Sequence, residues 1–273
     1  MKKKTLLTCT VLVSIFVQSI AGMTKETSKT GKTFVLVHGA WQAPYAWDMV
    51  KNDLVKKGNV VIVIELLGHG NDDTAPVKAS IDAYSNQVVE SIKNIKGKVI
   101  LVGHSMGGMV ISATAEKIPE RIESLVYLGA FLPGNGESLM SLTMQDKLSI
   151  LGPAIRPSAD QLTLGLEKES IVPVFCQDAN DQIKKLVLEN YKVEPAIPFG
   201  DKVSLTAANF GKTKKYYIHT LLDNAVGIDL QKQMVTASTN VKKEFALNSG
   251  HLPHLTQPRE VSKILLEIAV SNK

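Results

Sequence analysis

The decapeptide Val99-Ile100-Leu101-Val102-Gly103-His104-Ser105-Met106-Gly107-Gly108 constrains this chain more than any other stretch. Four apolar residues, three of them β-branched, read as a buried strand, and the apolar pattern over residues 109–118 reads as a helix. A strand that passes into a helix across Gly-x-Ser-x-Gly forces its serine into a strained backbone conformation, so the neighbours must be small. Gly103 and Gly107 leave that room, and Gly108 lets the helix approach the sheet. The turn lifts Ser105 Oγ clear of the sheet and aims the N–H of Met106 at the same spot. Gly-x-Ser-x-Gly alone fixes three positions and arises by chance in loops. The strand before it and the helix after it make Ser105 a candidate nucleophile.

A serine hydroxyl is a poor nucleophile at neutral pH and needs a base, which in turn needs an orienting carboxylate. The remaining strands show where those groups can come from. Residues 34–37 form a buried-strand run that ends at His38-Gly39-Ala40-Trp41, and residues 60–64 are five consecutive β-branched residues ending at Glu65-Leu66-Leu67-Gly68-His69-Gly70. His38 and His69 read as loop supports rather than bases. Trp41 and Trp47 are either core or pocket wall. Ser80 caps a helix over residues 81–95, with Ile81, Tyr84, Val88 and Ile92 on one face. A strand at residues 124–128 follows, and the alternation of strand and helix then stops from about residue 135 to residue 198. The aliphatic content of that segment argues for a helical cap over the site rather than a disordered linker. Strand character returns at residues 215–219 and 244–247, separated by a helix at 227–237, and a last amphipathic helix covers 258–270.

An acid after the first of these late strands and a histidine after the second are Asp223 and His251. Asp229 lies too far into the following helix, and Asp201 precedes the strand. His254 competes with His251, but Ser249-Gly250 is a tight approach suited to throwing residue 251 into a cleft. The pair His251 and His254 lacks a zinc-binding spacing. Neither Gly31-Lys32-Thr33 nor the Gly-Lys-Thr at Gly211 has the upstream glycine that a phosphate loop requires.

The first residues follow a different pattern. Lys2, Lys3 and Lys4 precede an apolar run from Leu6 to Ile20, and Ser19-Ile20-Ala21 offers small residues for cleavage, which predicts a secretory signal peptide over residues 1–21. The run is short for a membrane span, so no stable anchoring is expected after cleavage. Its removal takes three lysines and no acids, leaving 28 Lys+Arg against 26 Asp+Glu, so the basic balance carries little nucleic-acid signal. Cys9 leaves with the signal, and Cys176 then has no partner for a disulfide.

The motifs together resemble the α/β-hydrolase superfamily. Within it they are more similar to the branch of plant methylesterases, hydroxynitrile lyases and related bacterial esterases. The likeness runs over residues 33–270. It is carried by Phe34 to Trp41, Gly68-His69-Gly70, Gly103 to Gly108, Phe131-Leu132-Pro133, Tyr217-Ile218-His219-Thr220 with Asp223, and Gly250 to Pro258. The resemblance implies an α/β fold with a mostly parallel central sheet flanked by helices and a helical cap inserted after the sixth strand. It implies one domain over residues 22–273, with Ser105 as nucleophile, His251 as base, Asp223 as acid and the backbone N–H groups of Ala40 and Met106 as oxyanion donors. No cofactor and no metal are implied, and the expected partner is a small-molecule ester. The chain departs from the branch at Glu65, Leu67 and His254, where Asp, Pro and Met are common, and His254 is expected at the pocket rim. The lyases carry Lys after the catalytic histidine and Thr after the first strand's histidine; here those positions are Leu252 and Gly39. The expectation is an exported serine esterase. A non-catalytic binding protein on the same fold is the alternative.

Overall fold

Successive side chains of each central strand enter different apolar layers. In β1 (Thr33–Val37), Phe34 and Leu36 join one core while Val35 and Val37 join the other. The same alternation divides Ile100 and Val102 from Val99 and Leu101 in β3 (Val99–His104), and Val126 and Leu128 from Leu125 and Tyr127 in β4 (Ile122–Leu128). A strand that is apolar on both sides must be covered on both, and a parallel sheet between two helical layers does this. A computed structural model describes residues 31–271 of the chain together with Met1. The expected signal peptide lies outside the described residues.

Six strands form that sheet in the order β2-β1-β3-β4-β8-β9, every neighbouring pair parallel, with β2 at Val60–Ile64, β8 at Lys215–Thr220 and β9 at Val241–Leu247. One face is covered by α1 (Asp48–Lys56), through Val50 and Leu54, and by α11 (Pro258–Ser271), through Val261, Leu265 and Ile268. The other is covered by α2 (Ile81–Ser91), α3 (Gly107–Lys117) and α9 (Ile228–Ala237). Ile81, Tyr84, Val88 and Ile92 do form the buried face of α2 and its end. Ser80 caps that helix by accepting the Ala83 N–H at 3.0 Å.

Between β4 and β8 the chain builds the cap. It consists of α4 (Leu139–Thr143), α5 (Leu151–Ala154), β5 (Ile155–Pro157), β6 (Thr163–Leu166), α6 (Lys168–Phe175), α7 (Asp181–Glu189), β7 (Glu194–Pro195) and α8 (Ile197–Gly200). Two expectations need correction. The cap leaves after the fourth strand of this chain, not the sixth, because the described sheet has six strands in all. It is also not purely helical, since β5, β6 and β7 form a small antiparallel sheet. Strands of three, four and two residues are too short to display an alternation, so their pattern was invisible in the sequence.

All six central strands run the same way, so the loops after β1, β3, β8 and β9 emerge along one edge of the sheet, beneath the cap. Helix α3 can follow β3 so abruptly because Gly108 presses on the loop after β4. A Cβ there would lie 2.1 Å from the Phe131 carbonyl oxygen, which is backbone and cannot swing aside. Gly108→Ala is therefore expected to cost about 1–3 kcal/mol through overpacking. Gly152→Ala, where an added methyl meets nothing within 4 Å, should leave the denaturation midpoint nearly unchanged. Urea titration of both variants checks this, and equal midpoints for the two would contradict it.

Candidate active site

Ser105 follows β3 with φ 51°, a left-handed conformation that a residue bearing a Cβ adopts only when its surroundings compel it. Three hydrogen bonds hold it there. Its N–H donates to the Leu128 carbonyl at 3.4 Å, and its carbonyl accepts the N–H groups of Gly108 at 3.0 Å and Phe131 at 3.1 Å. The loop after β1 passes directly beside it. A Cβ at Gly39 would lie 2.7 Å from Ser105 Cβ and 2.9 Å from His104 Nδ1, so only glycine fits this approach. The N–H groups of Ala40 and Met106 flank that contact, and neither finds an acceptor among the described residues.

The loops after β8 and β9 bring Asp223 and His251 together, with His251 Nδ1 donating to Asp223 Oδ2 at 2.8 Å. Asp223 is buried but fully occupied. Oδ2 also accepts the Thr220 hydroxyl at 2.6 Å, and Oδ1 accepts the N–H groups of Ala225 and Val226, each at 2.8 Å. Four donors compensate an ionised carboxylate for its lost water, and they fix the proton of His251 on Nδ1, leaving Nε2 as a base. Gln231 continues the network by donating to Thr220 Oγ1 at 2.9 Å. The competing acids stand elsewhere: Asp201 accepts the Ile81 N–H at the start of α2, and Asp229 lies in α9.

His104, the variable residue of Gly-x-Ser, also has a part. Its Nε2 donates to the His251 carbonyl at 2.8 Å, which ties the His251 backbone to the turn that carries Ser105. Burial, with His254 and His251 nearby, drives His104 well below the ordinary imidazole range, so it stays a neutral single donor. Nothing in the Gly-x-Ser pattern announces this role. Gln231 and the cap residues below were likewise missed, because no local motif reports their contacts, and Thr220, three residues before Asp223, entered only within a family motif and without a role.

The cap closes over these groups. Phe175 of α6 stacks on the His251 ring at a centroid distance of 5.7 Å, and Trp41 packs against Phe175 and Phe199 at 5.8 and 5.5 Å. Trp41 thus lines the site, whereas Trp47 is core. On the side of Asp223 and His251, Asn224 donates to the Pro173 carbonyl at 2.8 Å and Gln177 to the Leu222 carbonyl at 2.5 Å. Gly250 N–H donates to Asp178 at 2.8 Å. Ser105 retains 8% of its exposure and His251 1%, so a substrate reaches them only beneath the cap. Among the described residues no group of three or more His, Cys, Asp or Glu is placed to hold a metal ion.

His254 is not on a pocket rim. It is wholly buried, stacked on Trp47 at 4.6 Å and beside His104 at 4.4 Å, and neither ring nitrogen has a hydrogen-bond partner among the described residues. Burial and then the neighbouring His251 lower it to about 3. The unfolded chain binds that proton near pH 6.5, so between pH 6.5 and 3 it binds more protons than the folded one. The stability linked to neutral His254 is complete above pH 6.5 and is lost as the pH falls towards 3. His254→Met should therefore outlast the parent chain in acid, by about 2–3 kcal/mol at pH 4.5 relative to their difference at pH 7.5. Urea melts at both pH values measure this, and a pH-independent difference would refute it.

Residues 34–264 match the Alpha/beta hydrolase family. A putative chloroplastic methylesterase 14 of Arabidopsis thaliana is 29% identical over 255 residues, covering 87% of this chain and 72% of its own. Salicylic acid-binding protein 2 of Nicotiana tabacum is 29% identical over 258 residues, covering 88% of this chain and 98% of its own. Among solved structures, an extracellular α/β-hydrolase from a Paenibacillus species superposes with a TM-score of 0.72 at 25% identity, covering 86% of this chain and 98% of that one.

Proposed function

This chain belongs to the α/β-hydrolase family, in the branch that resembles the plant methylesterases, and from that membership we propose that it is an exported serine esterase cleaving small to medium carboxylic esters through an acyl-enzyme. The observation that carries the reading is the buried Asp223–His251 pair, 2.8 Å apart, on the same edge of the sheet as the left-handed Ser105.

In the proposed reaction Ser105 Oγ attacks the ester carbonyl while His251 Nε2 takes its proton. Asp223 keeps the ring oriented and stabilises the imidazolium that forms. The carbonyl oxygen becomes an oxyanion held by the Ala40 and Met106 N–H groups, donors that need no rearrangement at the moment of reaction. His251 then protonates the departing alcohol, and water repeats the cycle on the acyl-enzyme to release the acid. The aromatic wall of Trp41, Phe175 and Phe199 favours an apolar acyl or alcohol part. Export is supported by the lysine-led apolar run ending at Ala21 and by the extracellular description of the Paenibacillus relative.

Cyanohydrin cleavage is disfavoured at two positions. Leu252 is wholly buried and supplies no cation for a departing cyanide, and the approach at Gly39 leaves no room for a side chain. Protein lacking residues 1–21 is expected to hydrolyse p-nitrophenyl butyrate and to release no cyanide from mandelonitrile above background. Cyanide release without esterase activity would overturn the proposal.

A fluorophosphonate probe should label the folded protein at Ser105, and Ser105→Ala should abolish both labelling and turnover. A folded protein that resists the probe would favour the binding-protein alternative. Asp223→Asn is expected to keep the fold and lower kcat by about three to four orders of magnitude, because the imidazole loses its tautomer and its ion partner. Near-normal kcat in this variant would put the acid elsewhere.

A further inference from the structure

Residue 40 lies between two peptide groups, and each is held from a different part of the molecule. His38 Nδ1 is 2.9 Å from the Gly39 carbonyl oxygen, while His38 Nε2 accepts the Leu66 N–H at 3.3 Å. The ring's single proton is therefore on Nδ1 and is donated to Gly39. A trans peptide points its C=O and N–H in opposite directions, so fixing the Gly39 oxygen also fixes the direction of the Ala40 N–H. The next peptide is held from the cap: the Trp41 N–H donates to Glu194 Oε2 at 2.7 Å.

Trp41 has φ 55°, a second left-handed residue beside the serine, and the cap supplies its restraints. Its indole N–H donates to the Leu164 carbonyl at 2.9 Å, and Leu164 of β6 pairs directly with Glu194 of β7. The small cap sheet thus presents two acceptors to one residue. Glu194 in turn is tied to His69, whose Nε2 lies 2.8 Å from the same Oε2 and whose Nδ1 lies 3.0 Å from the Leu67 carbonyl. Both ring nitrogens face acceptors, so His69 carries both protons and the pair is ionic. The pair is buried on both sides, and Glu194 Oε1 has no partner among the described residues. A buried ion pair is in general weak evidence for stability, and this one is also placed to hold the Trp41 N–H.

We propose that Glu194 is a positioning residue for the oxyanion donor: with His69 it holds the Ala40–Trp41 peptide from the cap while His38 holds the Gly39–Ala40 peptide from the body. This deepens the serine-esterase reading and depends on it. Seating the cap then completes the oxyanion hole, because one of the two restraints on Ala40 belongs to the cap. The effect falls on the transition state, where charge develops on the carbonyl oxygen, rather than on binding of the neutral ester.

The test compares Glu194→Gln, Glu194→Ala and the double variant His69→Gln/Glu194→Gln with the parent enzyme, using p-nitrophenyl butyrate and an alkyl trifluoromethyl ketone. Glu194→Ala should lower kcat by about 10²-fold with KM changed less than about threefold, near the lower end of losses from removing an oxyanion donor outright. Glu194→Gln keeps an acceptor for Trp41 but not the charge for His69, and should lose about tenfold. The double variant, with a neutral amide pair, should recover part of that loss. The ketone, which forms an oxyanion on Ser105, should weaken in parallel with kcat/KM. Should Glu194→Ala fail to fold, the isosteric Gln variant decides. Wild-type kcat and ketone affinity in folded Glu194→Gln, or a loss confined to KM, overturns the proposal. Ser105→Ala separates the two levels: full activity there sinks the serine reading itself. An inactive Ser105→Ala beside unaffected Glu194 variants sinks only the role of Glu194.

Discussion

The left-handed backbone of Ser105 is the constraint around which the molecule is arranged. A non-glycine residue at φ 51° persists only if its peptide groups are held more strongly than the strain repels them, and here β4 and the loop after it supply those bonds. Holding the turn this tightly brings backbone against backbone. Gly39 must pass within reach of Ser105 Cβ, and Gly108 must pass against the Phe131 carbonyl. The parallel sheet makes that crowding possible, because strands locked between two apolar layers deliver every functional loop to one edge with little freedom.

Several polar groups at that edge are buried and held by hydrogen bonds that also restrict them. Asp223 accepts four hydrogen bonds, so its carboxylate can remain charged out of water while having one orientation toward His251. His104 contributes one proton to the His251 carbonyl, and the burial that keeps it neutral also keeps that donation one-directional. His38 and His69 sit side by side, at 4.9 Å between centroids, yet differ in charge. For His69 burial works against the proton, and the Glu194 carboxylate outweighs it and raises the imidazole. His38 is driven well below the ordinary range, first by burial and then by the charged ring of His69. The two rings therefore present different hydrogen-bond patterns to neighbouring parts of the same loop.

The cap contributes more than a cover. It grips the loop after β1 through Glu194 and Leu164, and the loops that carry Asp223 and His251 through Pro173, Gln177 and Asp178. Both flanks of the site are thus braced by a segment whose own regular elements are short. The aromatic path from Phe199 through Trp41 and Phe175 to His251 makes those rings and the histidine part of one packed unit.

Local chemistry was enough to read the strand–serine–helix turn, the six central strands, the buried face of α2 and the pairing of Asp223 with His251. Each of these depends on residues adjacent in sequence or on an order along the chain. A β-branched run needs burial on both sides, and a tight glycine beside serine or histidine has few other uses. The cap sheet, the buried place of His254 and the contacts of His104 and Glu194 were decided only by the tertiary structure. Glu194 meets Trp41 across 153 residues of sequence and His69 across 125, and its flanking sequence has no periodicity that would report either contact. A side chain's burial and proton count are set by what folds against it, and that information exists only once the chain has closed on itself.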